Sequence, residues 1–281
     1  ITQDPMSGGR QMGGHFATHS LDENGHWKNL TQQKNSSSDI SPTAGQMPRL
    51  LGLAQASKIY REFPQADKST NFSVNGNEVA WGTIGNASTS EGLFFETINA
   101  AGVLQVPMVM SVWDDMYGIS VHARYQTTKE SISEILKGFQ KEENTNGYEI
   151  LTVKGWDYPS LVDTYAKAAQ IARTNHVPVL IHVQELTQPQ GHSTSGSHER
   201  YKSPERLQWE SDFDCLTQMR TWMIENNMAT IEELDQLDAE LKKQVLEGKK
   251  AAWEAYLNPI KNERTNAVNV LNTVAASSSN K

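Results

Sequence analysis

Two oxygen-bearing side chains, Asn86 and Asp115, stand 29 residues apart, and each closes an apolar run. Residues 79–84 lead into the small-residue turn Gly85-Asn86-Ala87, and residues 108–113 lead into Asp114-Asp115. An amide and a carboxylate are hard donors, the kind magnesium takes while it keeps places open for phosphate oxygens. A third candidate is His192 in Gly191-His192-Ser193-Thr194-Ser195, downstream of the apolar run 177–185. A neutral imidazole beyond a strand's carboxyl end exchanges protons near neutral pH. Each residue also has a plainer reading, because Asx residues favour turns whatever the function and a solitary loop histidine is usually a solvated side chain.

The elements that would position these groups follow from hydrophobic spacing. After Ala87, Leu93, Phe94, Ile98 and Ala101 recur at helical intervals, so residues 79–113 read as strand, turn, helix and strand. If the two strands are parallel, Asn86 and Asp115 emerge at the same sheet edge. Residues 148–153 form a third strand, and Gly155-Trp156-Asp157 leads into a helix over about 159–174 with the stripe Leu161, Tyr165, Ala168, Ala169 and Ala172. Residues 177–185 are apolar enough for a strand buried on both faces. A helix runs from Leu50 to about Arg61, a short one carries Ile132, Ile135, Leu136 and Phe139, and residues 1–38, 63–77 and 119–129 read as loops. The fold class is therefore α/β, an open, mostly parallel sheet flanked by helices, with ligands at the carboxyl ends of strands.

From Ser203 the pattern turns helical. Pro204 suits a first turn, Leu207, Trp209, Phe213 and Leu216 supply apolar contacts, and Thr230-Ile231-Glu232-Glu233 is a capping box. The helix it opens carries Leu234, Leu237, Leu241, Val245 and Trp253 toward a packing or subunit contact and is expected to stop at Asn258-Pro259. The expected organisation is an α/β domain over 1–200, a helical extension over 201–257 and a disordered tail over 258–281.

A formal charge of −8 argues against a binder of nucleic-acid backbones. One cysteine, Cys215, allows no intrachain disulfide and suits a reducing, cytoplasmic setting. No apolar stretch approaches the roughly 18 residues needed to span a bilayer, and no signal-peptide pattern opens the chain. Because Ile1 is not an initiator methionine, the chain reads as a possible fragment.

Residues 85–118 resemble the thiamine-diphosphate motif of the alpha subunits of 2-oxo acid dehydrogenases, the decarboxylating component of those complexes. That motif opens with Gly-Asp-Gly or Gly-Glu-Gly and closes with Asn-Asn-x-Tyr-Gly; Gly85, Tyr117, Gly118 and the interval match. The family's acidic ligand falls on Asn86 and its ligand asparagine on Asp115, so carboxylate and amide exchange places with the formal charge unchanged. Gly9-Arg10-Gln11-Met12 with His15 is similar to a Gly-Arg-Gln-Met-x-x-His segment of the family. Residues 39–48 are similar to the Ile-Ser-Pro-Leu-Ala-Thr-Gln-Ile-Pro segment of branched-chain members, and residues 191–195 to their His-Ser-Thr-Ser loop.

The resemblance implies a thiamine-diphosphate-binding fold and oxidative decarboxylation of a 2-oxo acid with acyl transfer to a lipoyl arm. It implies that the Ser41 carbonyl and Thr43 N–H bind the aminopyrimidine, that Gly85, Asn86, Ala87 and Tyr117 line the diphosphate, and that Asn86, Asp115 and the Tyr117 carbonyl hold Mg2+. His192 would manage protons beside the thiazolium, and Ser193 maps onto a regulatory phosphorylation site of mitochondrial relatives. The activating glutamate comes from a beta subunit or beta domain, so catalysis is expected to need that partner, assembled as a heterotetramer and served by a lipoyl acyltransferase. Two departures stand out: Trp113 takes the place of an arginine that meets the diphosphate in branched-chain relatives, and their Tyr-Arg pair would fall before Ile1. Asn86 and Trp113 motivate the competing reading of a non-catalytic scaffold or regulatory subunit that keeps the fold and binds cofactor weakly. A nucleotide-binding oxidoreductase is disfavoured, because the turn after Ile84 has no Gly-x-Gly-x-x-Gly pattern.

Overall fold

The computed structural model describes residues 17–32, 34–37, 40, 42–67, 71–189, 191–192 and 198–278. Gly9, Arg10, Gln11, Met12, His15, Ser41, Ser193, Thr194 and Ser195, singled out above, lie outside the described residues. The chain divides into two compact units, Ile1–Thr221 and Trp222–Lys281.

The first unit is built on strands β1 (Ala80–Gly85), β2 (Met108–Trp113), β5 (Glu149–Lys154) and β6 (Val179–Gln184), with a small hairpin of β3 (Tyr117–Gly118) and β4 (Val121–His122) between β2 and β5. The four long strands are all parallel in the order β1-β2-β6-β5, with Gly85 beside Trp113 and Val112 beside His182. Helix α2 (Gly92–Leu104) connects β1 to β2, and α4 (Tyr158–Asn175) connects β5 to β6. The two crossovers run in opposite directions across the sheet, and since such crossovers are right-handed they place their helices on opposite faces.

The core is split accordingly. Phe94, Ile98 and Ala101 of α2 and Leu50 and Ala54 of α1 (Met47–Glu62) pack with Met108, Met110 and Val112, whereas Ala168 and Ala172 of α4 pack with Val109, Ile181 and Val183. Alternate residues of β2 thus serve opposite faces, as the period of two requires. Phe94 and Ile98 are fully buried, each worth about 1.5–3 kcal/mol of apolar transfer. The direction reverses between β2 and β6, and a doubly wound sheet presents its ligand crevice at the carboxyl ends beside such a reversal.

All four long strands and the three principal helices lie within a few residues of where spacing placed them. The stretch after Gly118 differs: residues 119–129, read as a loop, include β4, which pairs Tyr117 with His122, and two short 3-10 turns. Residues 131–139 split into α3 (Ile132–Ile135) and a 3-10 turn, with Ile132 and Leu136 buried. Beyond the sheet come α5 (Pro204–Asp212) and α6 (Cys215–Glu225). Leu216, expected to supply an apolar contact, is 80% exposed.

In the second unit the capping box forms in both directions: the Glu233 N–H donates to Thr230 Oγ1 at 3.2 Å and the Thr230 N–H to Glu233 Oε2 at 2.8 Å. It opens α7 (Ile231–Ser277), which corrects the expected stop at Asn258-Pro259 and the expected disordered tail, because the helix continues through Pro259 to Ser277. A proline withdraws one N–H from the helical ladder, and Ile260, Ala267, Leu271 and Val274 resume helical spacing beyond it. Among the described residues no helix is long and apolar enough to cross a membrane.

Candidate functional site

The carboxyl ends of β1 and β2 are tied to each other by main chain. Asn86 follows β1 directly, and its N–H donates to the Trp113 carbonyl at 3.0 Å, so the parallel ladder runs one residue past the strands. Asn86 has helical dihedrals and stands before a 3-10 turn, Ala87–Ser90, without making a side-chain cap. Thr89 instead donates its hydroxyl to the Asn86 carbonyl at 2.6 Å. The Asn86 side chain is buried, and its Nδ2 has no hydrogen-bond partner. A buried amide nitrogen left unpaired costs about 1–3 kcal/mol, which sets Asn86 apart at the strand ends.

At the end of β2, two adjacent buried carboxylates have different partners. Asp114 Oδ2 pairs with His182 Nε2 at 2.8 Å, and His182 Nδ1 meets Ser133 Oγ at 2.8 Å. Asp114 also accepts the Met116 N–H at 2.7 Å, so it is held from both sides. Asp115 accepts the Tyr117 N–H at 3.0 Å. Burial holds its carboxyl above the usual range, against the opposing pull of that N–H and of Lys202; a cation beside it would favour the ionised form.

The turn that follows is strained. Met116 and Ile119 take φ of 69° and 57°, and Glu185 beyond β6 takes 58°. A left-handed conformation in a β-branched residue such as Ile119 costs about 1–3 kcal/mol and gathers at functional sites. Gly118 packs so closely on the first turn that a Cβ there would stand 2.6 Å from that of Ala87. The two strand-end segments therefore touch. Gly85, by contrast, is exposed, and a Cβ on it would meet only Ser88 Oγ, at 3.9 Å, so space stays open above the end of β1.

Helix α5 closes the arrangement from the other side. Ser203 caps it by accepting the Arg206 N–H at 3.2 Å, and one turn along Arg206 Nε donates to Glu210 at 2.8 Å. Lys202 Nζ donates to both oxygens of Glu210, at 2.7 and 2.8 Å, with both side chains buried. Arg206 Nη2 reaches back to the Asp115 carbonyl at 3.0 Å. Both cations lie over the Tyr117 ring, at 5.1 Å for Lys202 and 5.7 Å for Arg206. Tyr201 packs on the same ring at 5.7 Å, and its hydroxyl would stand 3.5 Å from a Cβ on Gly191, the residue before His192.

Of the residues singled out from sequence, Gly85, Asn86 and Ala87 lie on one strand-end segment and Asp115 and Tyr117 on the one that touches it, and the Tyr201 ring brings the segment at Gly191 and His192 to the same side. Thr43 is exposed in the turn before α1, next to Ala44, which is buried in the same cluster as Ile84. Trp113 is half exposed and donates its Nε1 to Ser111 Oγ at 3.0 Å, on the sheet face that carries α4. Sequence reasoning passed over His182, Ser133, Lys202, Arg206 and Glu210. For His182 a signal existed, since a histidine within Val179–Gln184 interrupts a run otherwise apolar up to Val183, and a buried imidazole needs partners.

Among the described residues no three His, Cys, Asp or Glu side chains converge on one point. The oxygen-bearing side chains at the strand ends are instead the Asp115 carboxylate, one oxygen of which accepts the Tyr117 N–H, and the Asn86 amide. That all-oxygen set suits magnesium completed by phosphate oxygens rather than zinc. The unpaired Asn86 nitrogen fits a phosphate oxygen as acceptor, and turned over the same amide offers its oxygen to a cation.

A family profile described as "Dehydrogenase E1 component" matches residues 10–261. The chain is 28% identical over 218 residues to the 2-oxoisovalerate dehydrogenase subunit alpha 1, mitochondrial, of Arabidopsis thaliana, covering 76% of this chain and 41% of that protein. It is 27% identical over 236 residues to the 2-oxoisovalerate dehydrogenase subunit alpha of Bacillus subtilis, covering 83% and 60%. It is 24% identical over 187 residues to the pyruvate dehydrogenase E1 component subunit alpha of Rickettsia bellii, covering 66% and 54%. The chain thus spans about half the length of these relatives. With the match running through the sheet, the strand-end turns and α5 into α7, the chain belongs to the dehydrogenase E1 component family.

Proposed function

We propose that this chain is the alpha part of an alpha/beta 2-oxo acid dehydrogenase and binds thiamine diphosphate through Mg2+ at the ends of β1 and β2. The observation that carries the reading is the buried, unpartnered Asn86 Nδ2, a donor suited to a phosphate oxygen, on a segment in contact with the turn after β2. Bound thiamine diphosphate supplies the carbon nucleophile and electron sink for decarboxylation. The chain's own residues bind and orient. Asn86, Asp115 and the Tyr117 carbonyl hold the metal, Gly85 and Ala87 leave room for the diphosphate, and the Ser41 carbonyl and Thr43 N–H grip the aminopyrimidine. His192 exchanges a proton with the bound substrate, and Ser193 offers a place where a phosphate would add negative charge beside an anionic cofactor and so inhibit.

A beta subunit or beta domain completes the site with the activating glutamate in a heterotetramer, and a lipoyl acyltransferase receives the acyl group. Branched-chain 2-oxo acids are the first substrates to try, given the His-Ser-Thr-Ser loop, and pyruvate is the alternative. We place the protein in a reducing, cytoplasmic compartment on its single cysteine. The competing reading, a scaffold with weak cofactor binding, has one observation in its favour: Trp113 is tied to Ser111 on the α4 face and offers the diphosphate no cation. Calorimetric titration of the chain and its beta partner with thiamine diphosphate and magnesium separates the two. Saturable heat, followed by carbon dioxide release from a 2-oxo acid, supports the enzyme, and heat-silent mixing supports the scaffold.

A further inference from the structure

We propose that Glu210 is a positioning residue that, through Lys202 and Arg206, holds the Asp115–Tyr117 turn and the His192 turn in one fixed relation. The proposal rests on the cofactor reading for what is being positioned; the mechanical claim stands on the contacts alone.

Glu210 is the hub. Its carboxylate, 1% exposed, receives two bonds from Lys202 Nζ and one from Arg206 Nε. Glu210 and Arg206 lie one helical turn apart on α5, and Lys202 stands just before the Ser203 cap, so one short element orients both cations. Each cation then acts outside α5. Arg206 Nη2 donates to the Asp115 carbonyl, the main-chain group adjoining the candidate metal ligand. Lys202 spans the rings of Tyr117 and Tyr201, at 5.1 and 6.0 Å, and the Tyr201 hydroxyl lies against the main chain before His192, 3.5 Å from where a Cβ on Gly191 would stand. Two turns that belong to different strands are thereby fastened to one charged cluster.

Stability alone does not account for this arrangement. Burying ions is costly, and well-packed apolar side chains of similar volume often serve a fold at least as well as a buried pair. What apolar groups cannot supply is a directed bond to the Asp115 carbonyl and cations over the face of Tyr117.

The test compares wild type with Lys202→Met/Glu210→Leu, an apolar replacement of the pair, and with Arg206→Met, which removes the bond to Asp115 and leaves the pair intact. Urea midpoints and amide hydrogen exchange are read on the chain, and magnesium-dependent thiamine diphosphate binding is read on the chain with its beta partner. The double variant is expected to keep its urea midpoint while exchange at Met116, Tyr117 and His192 speeds up about tenfold, as loss of a charge-assisted bond implies. Arg206→Met is expected to do the same at Met116 and Tyr117. Magnesium-dependent binding should weaken about tenfold in both, in line with the same lost bond. Wild-type exchange at these amides in a folded variant overturns the proposal; if the double variant does not fold, exchange in Arg206→Met decides alone. Failure of the wild-type assembly to bind cofactor would instead overturn the cofactor reading and leave the exchange result to be judged on its own.

Discussion

Replacing Asn86 with alanine should make the cofactor-free chain more stable while it removes the site. The side chain is buried with Nδ2 unpaired, a burden of about 1–3 kcal/mol in the free protein. It caps nothing, and its dihedrals, φ −54° and ψ −43°, are ones alanine adopts without strain. Against the relief stands the packing lost with a small polar side chain, so the net gain is about 1 kcal/mol. With a urea slope of about 1–3 kcal/mol/M, that moves the midpoint up by roughly 0.3–1 M. The second arm uses the assembly with the beta partner. A cofactor at about a hundred times its Kd stabilises wild type by about 2.7 kcal/mol, and Asn86→Ala should lose most of that increment. A fall in the cofactor-free midpoint by a similar amount would mean that the amide is already satisfied in the free chain. A variant that keeps the full increment would mean that residue 86 does not touch the cofactor or its metal.

Asn86→Asp, by contrast, should bring no large gain in magnesium affinity, because Asp115 already supplies the carboxylate; a large gain in a metal titration refutes the exchanged donor set. His192→Ala should leave thiamine diphosphate binding near wild type and lower decarboxylation by about 10²–10⁴, the usual worth of a positioned acid or base; an unchanged rate removes His192 from the chemistry. Tyr148 is 1% exposed with its hydroxyl unpaired, and burial pushes that hydroxyl far above the phenol range. Tyr148→Phe should therefore match or exceed wild type by up to about 1 kcal/mol in urea unfolding, and a marked loss would reveal a partner. His176 is held below the ordinary imidazole range by burial, with the Gly76 carbonyl opposing. Its folded-state value lies below the unfolded one, so its contribution is complete above the unfolded value and is lost as pH falls through the folded one. His176→Asn, which tolerates the left-handed φ of 52° there, should flatten the fall of the midpoint as pH drops below the ordinary imidazole value of about 6.5.

Local spacing was enough to place β1, β2, α2, α4 and the capping box at Thr230, because each depends on residues within a few positions of one another. It misled at Pro259, where a missing N–H was read as a stop although the apolar spacing resumes at Ile260 and runs on to Val274. The order of the motifs along the chain was likewise legible and already pointed to the family. Two decisions were not local. Asp114 and Asp115 are neighbours with the same chemistry, and only the packing of β6 beside β2 gives the first to His182 and leaves the second to face the turn at Tyr117. Glu210 sits on a helix with exposed neighbours at Glu205 and Gln208, and nothing in its spacing sets it apart; burial and its role as a hub arise because α5 lies against the end of β2.

The sequence by itself therefore determined which residues could offer oxygen to a cation and on which elements they ride, since side-chain chemistry and backbone periodicity are properties of short stretches. The tertiary structure decided which of those donors is taken up by a distant partner, because a hydrogen bond formed across 68 residues, as between Asp114 and His182, depends on strand order and register. No short window of sequence contains that order.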